Sequence, residues 1–312
     1  MTSRITRSRA LGHALLATAC AWLAAPAAQA AIGNFDLGNY TLTGTHFLPA
    51  VSASEASSVT YDWDRNSLFV LGDEGDALVE IDFTGNQLSA MTLTGFDDTE
   101  GLTYIGNGEF VLTEERLRDA YRLSYVAGGT VARASLPSAD LGITVGNVGI
   151  EGISYDPRDG TFVTVKERLP QEVNVNTISF GSPGSATPTS LFDPSVLGFL
   201  DLSDVQVLAT VPDLAGTPAA DNLLIYSQES RQLVETDRAG NVLSSFDFFL
   251  LAEQAEGITI DFAGNIHVVD ENGNDPRLFV LSPTPVPLPA AIWLLGPALA
   301  GLSRLHRRAS SH

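Results

Sequence analysis

A two-strand unit is written five times along this chain, and that repetition limits the possible folds more than any other feature. The clearest copy is EGITIDFAGNIHVVDE, Glu256 to Glu271. Two others match it closely: EGISYDPRDGTFVTVKE from Glu151 to Glu167, and EGLTYIGNGEFVLTEE from Glu100 to Glu115. Two are degraded: SSVTYDWDRNSLFVLGDE from Ser57 to Glu74, and a longer one from Ser203 to Glu229. Each has a β-branched run, a turn rich in Asp, Gly and Asn, a second apolar run and a closing glutamate. An apolar residue stands five positions before that glutamate in every copy: Phe69, Phe110, Phe162, Leu224 and Ile266.

Gly264-Asn265 and Asp159-Gly160 supply the turn chemistry of a tight hairpin, and the flanking alternation of Ile, Val, Tyr and Thr suits strands. In an antiparallel hairpin the first strand begins beside the end of the second. That register sets Glu256 next to Glu271, Glu151 next to Glu167 and Glu100 next to Glu115. Each of these hairpins therefore carries a carboxylate pair at one end.

The closing glutamates are spaced 41, 52, 62 and 42 residues apart. This fits a four-stranded propeller blade of roughly 40 to 45 residues with two insertions, expected around Ser138 to Asn147 and Gly181 to Gly198. Third strands are expected at ALVEID (Ala77 to Asp82), AYRLSY (Ala120 to Tyr125) and QLVETD (Gln232 to Asp237). NYTLTGTHFLP, Asn39 to Pro49, reads as a strand with no hairpin of its own, and RLFVLS, Arg277 to Ser282, as a third strand lacking a fourth. A closed ring resolves both, because the N-terminal strand completes the last blade. The expected fold is all-β: a single β-propeller of about five four-stranded blades, or six if an insertion hides one, closed by an N-terminal strand. Helical solenoids lack their periodicity here, and a sandwich would not repeat one hairpin with its carboxylates in register.

Met1 to Ala30 has Arg4, Arg7 and Arg9, an apolar stretch from Ala10 to Leu23 and Ala28-Gln29-Ala30, the pattern of a secretory signal peptide cleaved after Ala30. Cys20, the only cysteine, falls within it, so the mature chain is expected to have no thiol and no disulfide. All 37 acidic residues lie between 31 and 283, whereas six of the 17 basic ones lie in the two tails. The central domain, residues 31–283, is thus more acidic than the formal chain charge of −20. That field argues against nucleic acid and favours cations.

EGLTY, VLTEER, EGISYDPRDGTFVTVKER, SQESRQLVETDRAGNVLSSF and EGITIDFAGNIHVVDE, taken in order, resemble the SdiA-regulated family of bacterial envelope β-propellers, over about residues 38 to 283. The resemblance implies a periplasmic or exported propeller. A more distant likeness is to esterase-like propellers related to phytases, which place acidic residues at the axis. The tail, residues 284–312, has a Pro-rich linker, an apolar run from Ala290 to Leu302, and then Arg304, Arg307 and Arg308. It resembles a VPLPA-type CTERM sorting signal, related to PEP-CTERM. With the signal peptide implying signal peptidase, that likeness implies an exosortase-like enzyme as a second processing partner, transient anchoring in the inner membrane, and an address at the outer surface, periplasm or extracellular matrix. The basic residues after the span would stay cytoplasmic.

In a propeller the first strand of each blade lines the central channel, so Glu100, Glu151 and Glu256 are expected at one mouth beside Glu115, Glu167 and Glu271, with Glu74 and Glu229 from the degraded units. Such a ring needs neutralising. Calcium suits it, taking six to eight oxygen ligands in flexible geometry, and no histidine pattern points to zinc or iron. The alternative is internal pairing with Arg116, Arg168 and Lys166, the only lysine. Two functions follow. One is an exported, envelope-associated propeller binding a ligand or partner, such as an exopolysaccharide or other envelope component, with a cation at the acidic mouth. The other is a calcium-dependent esterase or phosphoesterase. Of these the binding protein is favoured: no GxSxG elbow is present in context, and the only extra cationic groups near the glutamates are those same three basic residues.

Overall fold

The computed structural model describes residues 35–284 apart from 74, 75, 144, 145, 147, 183, 250, 252, 253, 273 and 274. The expected signal peptide, the chain beyond Thr284 and Glu74 lie outside the described residues. Within them the chain forms β-strands and short 3-10 turns, with no α-helix. A lone strand, β1 (Tyr40–Phe47), comes first. Five groups follow. The first is β2 (Ala56–Asp62), β3 (Ser67–Gly72), β4 (Ala77–Ile81) and β5 (Gln87–Thr94). The second is β6 (Thr99–Gly106), β7 (Glu109–Glu114) and β8 (Asp119–Ser124), after which come β9 (Thr130–Ala132) and β10 (Ser138–Asp140). The third is β11 (Ile150–Asp156), β12 (Thr161–Lys166), β13 (Glu172–Ser179) and β14 (Ser185–Phe192), and the fourth is β15 (Asp204–Val207), β16 (Leu223–Ser227), β17 (Gln232–Thr236) and β18 (Val242–Asp247). The last is β19 (Ala255–Ile260), β20 (Ile266–Asp270) and β21 (Arg277–Pro283), and β1 completes it by pairing antiparallel with β21 from Tyr40–Pro283 to Phe47–Arg277. Gly160 and Gly264, at φ 77° and 81°, adopt the left-handed conformation that these hairpin turns demand.

The first strands of the groups, β2, β6, β11, β15 and β19, pack side by side in a closed circle around one axis. Backbone pairing does not join them. Instead, a side-chain oxygen of each strand accepts a backbone N–H of the next. Ser58 and Thr60 accept from Leu102 and Tyr104, Thr103 from Tyr155, and Ser154 from Val207. Asp204 accepts from Ile258, and Thr259 from Tyr61, which returns to the first group. Five interfaces thus carry one device that gives exposed inner-strand donors a partner. The hydrophobic core lies between blades: Phe69, Tyr104, Phe110 and Tyr125 fill one interface, and Tyr226, Phe248, Ile258 and Phe279 another.

The perimeter departs from the sequence expectation. Ser138–Asp140 and Ser185–Phe192 were expected to belong to insertions, yet they are β10 and β14, the outer strands of the second and third blades. The second blade reaches its outer strand only after β9 has paired in parallel with β5 of the first, and β10 in turn meets β14. Stretches of three residues such as Thr130–Ala132 are too short to carry a periodicity of their own, so pairing decides their state. The true excursion is in the fourth blade, where three 3-10 turns (Leu208–Thr210, Pro212–Leu214, Pro218–Asp221) separate β15 from β16.

Candidate functional site

The mouth of the ring is built by a bulge that recurs. Pairing of the first two strands slips between Thr99 and Leu102, between Ile150 and Gly152, between Ala255 and Ile258, and between Ala56 and Ser58. Each slip catches the leading residue, Glu100, Glu151, Glu256 or Ser57, and in the second and fifth blades the following Gly101 or Gly257 as well. A bulge leaves its extra residue unpaired and re-aims its side chain. The fourth blade has no slip at Asp204–Tyr226, and it also has no leading glutamate. The glycine after each glutamate is required by close approach: a Cβ on Gly152 would stand 2.5 Å from Asp204 Oδ1, and one on Gly257 would stand 2.6 Å from Ser58 Cα.

The second set of side chains comes from the residue just past each second strand. In the first, second, third and fifth blades, Asp73, Glu115, Glu167 and Glu271 donate their N–H to the carbonyl of Glu55, Asp98, Gly149 and Gln254, each two residues before the leading position. All six glutamates singled out by the repeat, Glu100, Glu115, Glu151, Glu167, Glu256 and Glu271, line one cavity of about 270 Å³. Asp73, Asp98, Gln228, Arg116 and Arg168 complete its wall. Carboxylate oxygens gather there in three triads, each within 4.8 Å: Glu115–Glu151–Glu167, Glu100–Glu256–Glu271 and Asp73–Asp98–Glu100.

Two sequence assignments slip by one residue. The closing position of the first blade is Asp73 rather than Glu74, and that of the fourth is Gln228 rather than Glu229, as the ends of β3 at Gly72 and β16 at Ser227 require. Glu229 instead faces Arg168 on the rim, at 3.2 Å. Repetition also concealed Asp98. It stands two residues before Glu100, as Glu55 and Asp201 stand two before Ser57 and Ser203, and that second acidic column was available as a signal.

The electrostatics follow from crowding. Burial, then Glu271, Asp98 and Asp73, hold the Glu100 carboxyl well above the usual range. Glu151 is raised by burial and by Glu100 and Glu115, and Glu256 by burial and by Glu271 and Glu100. Burial and then Glu115 push Asp98 to about 7 despite the nearby Arg116. Oxygens of Glu151 and Glu115, and of Glu256 and Glu271, lie within 4.8 Å of each other. Carboxyls crowded this closely hold on to protons more tightly than exposed ones. Without another cation, the well holds protons.

Internal pairing neutralises only the edge. Arg116 leans on Asp97 at 3.0 Å and Asp98 at 3.1 Å, and Arg168 on Glu167 and Glu229. Lys166 is turned away, donating to the Pro170 carbonyl at 3.0 Å with Glu172 at 3.6 Å. Among the described residues no ion pair reaches Glu100, Glu151, Glu256 or Glu271. Eight carboxylates line a cavity that has two guanidiniums, the donor set of a hard-cation site. The two described histidines stand apart: His267 is buried in β20 on Asp261 at 3.0 Å, and His46 lies in β1.

Blades of antiparallel strands radiating from a closed inner circle, with one polar mouth, define a β-propeller. The chain belongs to the SdiA-regulated family, whose family model matches residues 38–281. Among solved structures it is similar to virginiamycin B lyase from Staphylococcus aureus, with 14% identity and a TM-score of 0.39 over 72% of this chain and 65% of that one. A streptogramin B lyase matches with 10% identity and a TM-score of 0.43, covering 79% of this chain and 99% of that one. The WD40 propeller domain of Doa1 matches with 11% identity and a TM-score of 0.45, covering 78% and 97%.

Proposed function

We propose that this chain is an exported, envelope-associated propeller that binds a ligand or partner through a hard cation, calcium, in its acidic well. The observation that carries this reading is the meeting of three carboxylate triads where, among the described residues, no ion pair reaches four of the glutamates. The Glu115–Glu151–Glu167 and Glu100–Glu256–Glu271 sets share no residue, so two ions could be held at once. A cation would replace the protons that the crowded carboxyls otherwise keep. Export and tail processing by signal peptidase and an exosortase-like enzyme rest on the sequence of the two tails.

Calorimetry of the purified chain with calcium tests this. Uptake in the wild type, lowered in stoichiometry or affinity by Glu151→Gln and by Glu256→Gln, is the expected result. Absence of uptake by a folded wild type would leave the well a protonated structural network.

One observation favours the hydrolytic alternative. Asp98, near neutrality at about 7 and beside Arg116, has the proton affinity of a general base. Turnover of a phosphoester or ester that needs calcium and falls by 10²-fold or more in Asp98→Asn would establish it. A screen of both ester classes without turnover would remove it.

A further inference from the structure

The wall of the well that carries no acid has an apolar edge. Gln228 fills the fourth blade's place, donating Nε2–H to Glu256 Oε1 at 2.7 Å. The three residues after it, Glu229, Ser230 and Arg231, each fasten a neighbouring loop that ends in a large exposed apolar side chain. Glu229 holds Arg168, and Leu169 follows it, 74% exposed. Ser230 Oγ accepts the N–H of Leu200, 64% exposed at 3.0 Å. Arg231 lies 5.3 Å over the ring of Phe249, 65% exposed, and its carbonyl accepts the Phe248 N–H. Leu169, Leu200 and Phe249 come from three connections, after β12, after β14 and after β18, yet one four-residue turn gathers them.

None of the three contributes to the buried core, so folding does not explain them. Leu and Phe anchors beside arginines, next to a strongly charged hollow, have the composition of a protein-binding surface. The acidity of the well selects the partner's charge. Nucleic acid and anionic lipid would be repelled, and a small ligand would have no concave apolar pocket to enter.

We propose that this edge docks a polypeptide that lays apolar side chains on Leu169, Leu200 and Phe249 and extends a lysine or arginine over Gln228 into the well. The patch stands apart from the calcium reading and shares with it only the acidity of the well. Calcium and the basic side chain would therefore compete.

The test is a phage-displayed library of random linear peptides panned in EDTA against the purified chain, with the best binder resynthesised for fluorescence anisotropy. Enriched sequences are expected to carry Lys or Arg beside Leu, Phe or Trp. Affinity should fall at least about tenfold in Leu200→Ser, in Phe249→Ser and in Glu256→Gln, a loss of about 1.4 kcal/mol. It should stay unchanged in Leu88→Ser, an exposed control on β5, and weaken when calcium is added. All the serine variants should melt as the wild type does, and Leu169→Ser stands in for either patch variant that does not. An acidic consensus, no consensus, or full affinity in folded patch variants would overturn the proposal. Failure of calcium uptake with peptide binding intact would remove the metal reading alone. Loss of peptide binding in patch variants that still take up calcium would isolate the patch.

Discussion

Glu151 shows what a single side chain in the well contributes. Its folded-state proton affinity is raised by burial and by Glu100 and Glu115, so the native state holds a proton that the unfolded chain releases above the ordinary glutamate range, near 4.3. The sign is then fixed. The native protein binds more protons than the unfolded one, and stability in the absence of metal falls as the pH rises from about 4.5 through 7 and beyond, with Asp98 titrating at about 7 within that window. Denaturant midpoints in EDTA should decrease steadily from pH 5 to pH 8, and saturating calcium should flatten the trend. A midpoint that rises with pH in EDTA would contradict the crowding argument. Glu151→Gln should raise metal-free stability at pH 8, read as a higher denaturant midpoint in EDTA, while weakening calcium uptake. These six glutamates were legible in the sequence because three nearly intact copies carry them in register. Asp73 and Gln228 were not, because the degraded copies have a neighbouring glutamate one position on, and an alignment by residue type follows the glutamate where the strand end follows the hydrogen bonds.

The hairpin with a bulge at its first strand is the element that makes the site. Each leading glutamate is turned into the well by the slip, and the glycine behind it lets the next inner strand approach. Gly152→Ala should cost about 1–3 kcal/mol, read as a lower thermal midpoint, because the new methyl group meets Asp204 backbone as well as its carboxylate. Ser154→Ala should cost a similar 1–3 kcal/mol by leaving the buried Val207 N–H without its acceptor, with calcium uptake retained. The two variants separate the roles: the first changes the well's geometry, whereas the second weakens only the seam. Sequence pattern located the hairpins through Gly160, Gly264 and the β-branched runs. It missed the bulges and took β10 and β14 for insertions, because the three residues of β10 are too few to show an alternation and β14 is exposed along most of its length.

The ring as a whole depends on its first strand. β1 supplies the fourth strand of the last blade, from Tyr40 to Phe47, and Tyr40 Oη donates to the Gly264 carbonyl at its foot. A chain begun after Pro49 should lose its cooperative unfolding transition, seen as a broad melt by circular dichroism, rather than show a lowered midpoint. The same closure sets how the molecule bears load. Thr284 donates its backbone N–H and its hydroxyl to the Asn39 carbonyl, so the described chain enters and leaves together, at the end of β21 away from Glu271 and the well. If the protein is held by its C-terminal side while something bound at the well pulls, tension runs along the axis of β21. Its flanking ladders to β20 and β1 are then loaded in shear, all their hydrogen bonds sharing the force at once instead of parting one by one. Closing the ring with the N-terminal strand thus means that a pull from the well would load this strand pair lengthwise, where a chain leaving beside the well would be peeled from its edge.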